Sequence, residues 1–83
     1  MRPNRLGMTP DQDIDAIGLL CPLPVLRARK ALLGLQAGQT LRILADDPVA
    51  VIDVPHFCDQ AGHELLSMTQ DGAVTAYLIR RGP

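Results

Sequence analysis

Two thiols, Cys21 and Cys58, are the nucleophiles of widest reach in this chain of 83 residues. Cys21 stands in the run Gly18-Leu19-Leu20-Cys21-Pro22-Leu23-Pro24-Val25. A proline disfavours the helical region for the residue before it, so Pro22 pushes Cys21 into the extended geometry of a helix cap. Pro22 then suits the first helical position, with φ already set and no N–H to waste. Pro24 still falls within the first turn. On this reading Cys21 sits at a helix tip, and the amides of Leu23 and Val25 point back at the sulfur. The positive end of the helix dipole lies there too. Both effects predict a thiol that ionises below its free value of about 8.5. A persulfide anion would be held by the same donors. Ser, Thr or Asp would cap the helix better if structure were the only demand.

Other groups have simpler readings. Cys58 falls in an apolar arc with Val51, Val54 and Phe57, which marks it as a packed core thiol rather than a resolving cysteine. A Cys21–Cys58 disulfide would need a geometry that spacing does not establish. His56, Cys58 and His63 match no common closed zinc site, and a helical wheel turns His56 away from Cys58. No metal and no cofactor is therefore expected. Asp46-Asp47-Pro48 resembles an acid/base pair, yet Asp47 is explained as a cap for a helix starting at Pro48.

These groups must be positioned by a small set of elements. Asp13 to Ile17 alternates polar and apolar and reads as a strand. From Pro22 the period becomes helical: Val25, Ala28, Leu32 and Leu35 form one stripe, with Ala31 beside it. Leu23, Arg27 and Lys30 fall on the opposite, solvent-facing side. Arg29 lies between the stripe and a Leu26/Leu33 edge. Thr40–Ala45 reads as a central strand. A second helix follows from Pro48 to about Ala61, kinked or split at Pro55 and stopped by Gly62. Ile52 faces outward on it. Glu64–Gln70 and Ala73–Arg80 are strands joined by an Asp71-Gly72 hairpin turn. The order is βαβαββ. The expected fold is α/β, a two-layer sandwich with a four-stranded mixed sheet and two helices on one face. Residues 13–82 form one domain behind a disordered tail, 1–12, and no internal repeat is present.

Composition narrows the function. Hydrophobic residues make up 47 % and charged residues 20 %, as in ordinary globular domains. The net charge of −1 gives no strong pull toward nucleic acid or anionic lipid. One Tyr, one Phe and no Trp leave few rings for base stacking. No apolar run approaches membrane-spanning length. The first residues, Met1 to Gln12, lack the hydrophobic segment of a secretory signal, which points to the cytoplasm and to free thiols.

The stretch "DAIGLLCPLPV" resembles the Cys-Pro-x-Pro signature of the TusA (SirA-like) sulfur carrier proteins. The likeness continues through "ILADDP", "DVPHFC", "GHELL", "DG" and "YLIRRG", from Asp13 to Gly82. It implies a sulfurtransferase, a carrier rather than a stand-alone catalyst, that takes sulfane sulfur as a persulfide on Cys21. In the best-known members the donor is a cysteine desulfurase. A downstream relay protein is the acceptor, on the way to transfer-RNA 2-thiouridine. Other members serve molybdenum-cofactor synthesis or sulfur oxidation. The carrier would be a monomer between encounters. Arg27, Arg29, Lys30, Asp47 and Ile52 are the candidate partner contacts. Two positions depart from close relatives: Leu23 stands where an acidic residue is frequent, and Ile52 where a polar or basic one is. The competing reading is a non-catalytic interaction module, with Leu23, Ile52 and the basic helix face as its binding surface and Cys21 as a redox sensor.

Overall fold

The computed structural model describes residues 9–83. Most of the expected tail, residues 1–8, lies outside the described residues. Strand β1 (Gln12–Asp15) begins one residue earlier and ends two residues earlier than the alternation implies. Asp11, also assigned to the tail, already bonds its amide to the Thr40 carbonyl oxygen at 2.9 Å.

The remaining elements are α1 (Leu23–Leu33), β2 (Thr40–Ala45), α2 (Ala50–Ala61), β3 (Glu64–Asp71) and β4 (Val74–Arg80). The sheet order is β1-β2-β4-β3. β1 runs parallel to β2, and β4 is antiparallel to both its neighbours. This is the mixed four-stranded sheet with two helices that the pattern predicts. Its core is aliphatic. Leu41, Ile43 and Ala45 of β2 and Tyr77 and Ile79 of β4 alternate inward. They meet Ala28, Ala31 and Leu32 of α1 and Ala50, Val54, Phe57 and Cys58 of α2. Each large aliphatic side chain so buried contributes about 1.5–3 kcal/mol. Such gains must carry a domain this small, which has little interior to spare.

Four local expectations need correction. The second helix starts at Ala50, because Pro48 and Val49 are held in a turn that precedes it. Pro55 neither splits nor ends it, and the helix runs through to Ala61. Val51, placed in the apolar arc, is exposed at 43 %, since that arc is centred on Val54, Phe57 and Cys58. The hairpin turn also sits one residue later. Asp71 pairs with Val74, so Gly72 and Ala73 form the loop. Gly72 alone takes positive φ, at 62°, as the first central residue of a type II′ turn does.

Candidate functional site

Both helices leave the carboxyl ends of neighbouring parallel strands, so both begin at the same end of the sheet. The two connecting loops are stitched together there. The Ala16 amide donates to the Leu44 carbonyl oxygen at 2.8 Å, and the Gly18 amide to Asp46 Oδ1 at 2.9 Å. In open α/β sheets this is the edge where sites assemble.

At that edge α1 starts one residue later than the proline argument implies. Pro22 is the cap residue and Leu23 the first of the helix; the Cys21–Pro22 peptide is cis. Pro24 is fully buried and pins the first turn into the core, at no hydrogen-bonding cost because it has no N–H. Cys21, Pro22 and Leu23 are left exposed. Cys21 is therefore open to other proteins, whereas Cys58 is buried.

The polar surroundings of Cys21 differ from the expectation. The Leu23 amide is spent on the Leu20 carbonyl oxygen at 2.8 Å. Among the described residues the sulfur's hydrogen-bond partner is no backbone amide. It is a carboxylate: the Cys21 thiol donates to Asp53 Oδ2 at 3.0 Å. The Cys21 amide donates to Asp47 Oδ2 at 2.6 Å. Cys21 is thus harder to ionise than a free thiol, the reverse of the sequence expectation. The hydrogen bond to Asp53 favours the protonated form most. Loss of solvent and the charges of Asp53 and Asp47 push the same way. The helix dipole opposes them with only about half an elementary charge spread over a turn. A full carboxylate in hydrogen-bond contact outweighs it.

Asp47 is a buried link between the two helices. Besides the Cys21 amide it accepts the Val49 amide at Oδ1, 3.2 Å, and its carbonyl oxygen accepts the Ala50 amide at 3.0 Å. The predicted capping role is corrected: α2 starts at Ala50 with Val49 as its cap residue and no side-chain cap, and Asp47 instead closes the turn before it.

Cys21, Pro22, Pro24, Val25, Asp47, Ala50 and Asp53 line a shallow notch with about 0 Å³ of room for even a water molecule. Small-molecule sites start near ~300 Å³, so a macromolecular surface fits this geometry better. A larger concavity, about 430 Å³, includes Arg29, Phe57, His63 and Arg81 in its lining but neither cysteine. Arg29 stacks its guanidinium 5.5 Å from the Phe57 ring centroid there. Arg27 and Lys30 line another hollow, with Gln12 and Ile14. The structure therefore groups Asp47 with Cys21 but places the three basic candidates outside the thiol notch. Leu23 and Ile52 are exposed, 45 % and 72 %, as the wheels indicate. His56 is exposed. His63 lies just before β3, where its Nδ1 accepts the Gly82 amide at 2.9 Å. No group of three metal-ligating side chains occurs among the described residues.

Asp53 was the residue that pattern reading missed. The sequence shows only an acid in the first turn of α2; that it meets Cys21 depends on the tertiary fold.

The fold and site define a small two-layer α/β domain that presents one exposed thiol at the start of its first helix. The sulfurtransferase TusA family model matches residues 12–81, and the chain belongs to that family. A solved SirA-like protein from Desulfitobacterium hafniense is similar in structure, with a TM-score of 0.76 and 31 % identity. The match covers 87 % of this chain and 99 % of that one. The function is accordingly of the sulfur-carrier or sulfurtransferase kind, exercised in relay with partner proteins. No helix among the described residues is long and apolar enough to cross a membrane.

Proposed function

We propose that Cys21 is the sulfur-carrying residue and that it works as a persulfide. The exposure of this thiol at the shared edge of both helices, with Cys58 buried, is the observation that carries the reading. The Cys21 thiolate attacks the outer sulfur of a donor persulfide. A new S–S bond forms to Cys21 as the donor's S–S bond breaks, and the donor leaves as a thiolate. An acceptor thiolate then attacks the outer sulfur on Cys21 and releases the Cys21 thiolate. Neither step changes the overall oxidation level. A cysteine desulfurase in the cytoplasm is the donor class that family resemblance supports. A relay protein for transfer-RNA thiolation, molybdenum-cofactor synthesis or sulfur oxidation is the acceptor class. Leu23 and Ile52 supply apolar contact where close relatives often carry an acidic residue and a polar or basic one.

A non-catalytic interaction module is the second reading, and the suppressed ionisation of Cys21 favours it. Loading separates the two. Incubation with a cysteine desulfurase and cysteine should add one sulfur, about 32 Da by intact mass. The gain should vanish in Cys21→Ser and survive in Cys58→Ser. Labelling that follows Cys58, or no gain at all, refutes the carrier assignment.

A further inference from the structure

A carrier whose thiol is exposed yet held protonated raises the question of what frees it. The groups facing the sulfur are few. From α2 comes Asp53, in contact with Sγ at 3.0 Å. From the β2–α2 loop comes Asp47, bound to the Cys21 amide. From α1 and its lead-in come Pro22, Pro24 and Val25, all uncharged. No basic residue lines the notch among the described residues. Two acidic groups thus face the thiol with no cation beside them. Leu20, Leu23 and Ile52, sequence neighbours of the notch residues, are exposed apolar groups.

We propose that Asp53 is a gate on Cys21: it accepts the thiol's hydrogen in the free protein, and a basic side chain on the docking partner pairs with Asp53 and frees the sulfur to ionise. The partner's complementary surface is then an apolar patch with a lysine or arginine near its centre. Undocked, the protein shows oxidants and stray electrophiles a thiol, the less reactive form. Docked, Asp53 exchanges the S–H donor for a cation, and the Cys21 proton passes to solvent or to a base on the partner. The resulting thiolate performs the attack described above. The gate rests on the reading of Cys21 as the sulfur-carrying residue, with Asp53 as a positioning residue.

Alkylation of Cys21 by iodoacetamide, located by peptide mass and followed against pH, tests the gate. In Asp53→Asn the midpoint should fall and the rate at pH 7 should rise several-fold. Asp53→Glu, which keeps the charge, should stay near wild type. An unmoved midpoint in Asp53→Asn overturns the proposal. The second arm adds a peptide to the wild-type protein, with Asp53→Asn as the comparison. A hexalysine peptide should accelerate alkylation at pH 7, hexaglutamate should not, and about 1 M salt should erase the effect. No acceleration by hexalysine, or equal acceleration of Asp53→Asn, also overturns the gate. Persulfide loading is read separately by mass. Loading without any titration shift sinks the gate alone. A titration shift without loading leaves Asp53 controlling the thiol but sinks the carrier reading.

Discussion

Asp47 is 7 % exposed and still carries both oxygens of a carboxylate into hydrogen bonds, one to each helix lead-in. Its burial makes it a structural tie more than an acid. Removing the carboxylate in Asp47→Ala strands the Cys21 and Val49 amides. Both bonds are only part-buried, so the expected loss of stability on chemical denaturation of the variant lies at the low end of the buried-donor range, about 1 kcal/mol. Asp47→Asn keeps one acceptor oxygen and should lose less. If Asp47→Ala unfolds at the wild-type denaturant midpoint, the tie carries no weight. Cys21 and Asp47 were legible in the sequence because proline and capping rules act over a few residues. The Cys21–Asp53 contact was not legible, since it joins residues 32 apart and exists only once both helices share an edge. The same distance explains the reversed expectation for the thiol. A local rule supplied the helix dipole, and a tertiary contact supplied the stronger opposing charge.

At the scale of the element, α2 is set more by its ends than by its interior. Pro55 denies the Val51 carbonyl oxygen its intrahelical donor, yet the helix persists because Val54, Phe57 and Cys58 anchor it in the core. Its end is firm. Gly62 takes φ 79°, and the His63 amide reaches back to the Cys58 carbonyl oxygen at 2.8 Å. A Cβ at Gly62 would meet nothing within 4 Å, so Gly62→Ala isolates the backbone cost. A left-handed alanine costs about 1–2 kcal/mol. The urea midpoint should fall accordingly with an unchanged m value. A midpoint equal to wild type would mean that the chain ends this helix by another route. Helix stops and strand periods were readable in the sequence because glycine and alternation report directly on φ and on the pleat. The start of α2 was not, because Pro48 and Val49 satisfy a turn and a helix start equally well.

For the whole molecule, strand order decides where chemistry can gather. Placing β1 parallel to β2 brings both helix starts to one end. The sequence carried the element order but not the neighbours β2 and β4, whose antiparallel pairing closes over the connection through α2 and β3. That closure buries Cys58 and Tyr77 in the shared core. Burial pushes the Cys58 thiol up to about 11 from 9.0, and raises the Tyr77 phenol above 10.0. In the unfolded chain Cys58 loses its proton near 9, while the fold keeps it to about 11. Stability that is fully present below pH 9 must therefore decline as pH rises toward 11. Tyr77 adds to the decline in the same direction. Thermal unfolding under a reductant should show Tm falling across that window. In Cys58→Ala the cavity should lower Tm at every pH, but the alkaline slope should become shallower, with the remainder due to Tyr77 and Cys21. Cys21→Ala should leave more of that slope, because an exposed thiol has less solvation to lose on folding. A slope identical in Cys58→Ala and wild type would mean that the second cysteine is not sealed in the core. Mass labelling could then no longer be assigned to Cys21 by exposure alone.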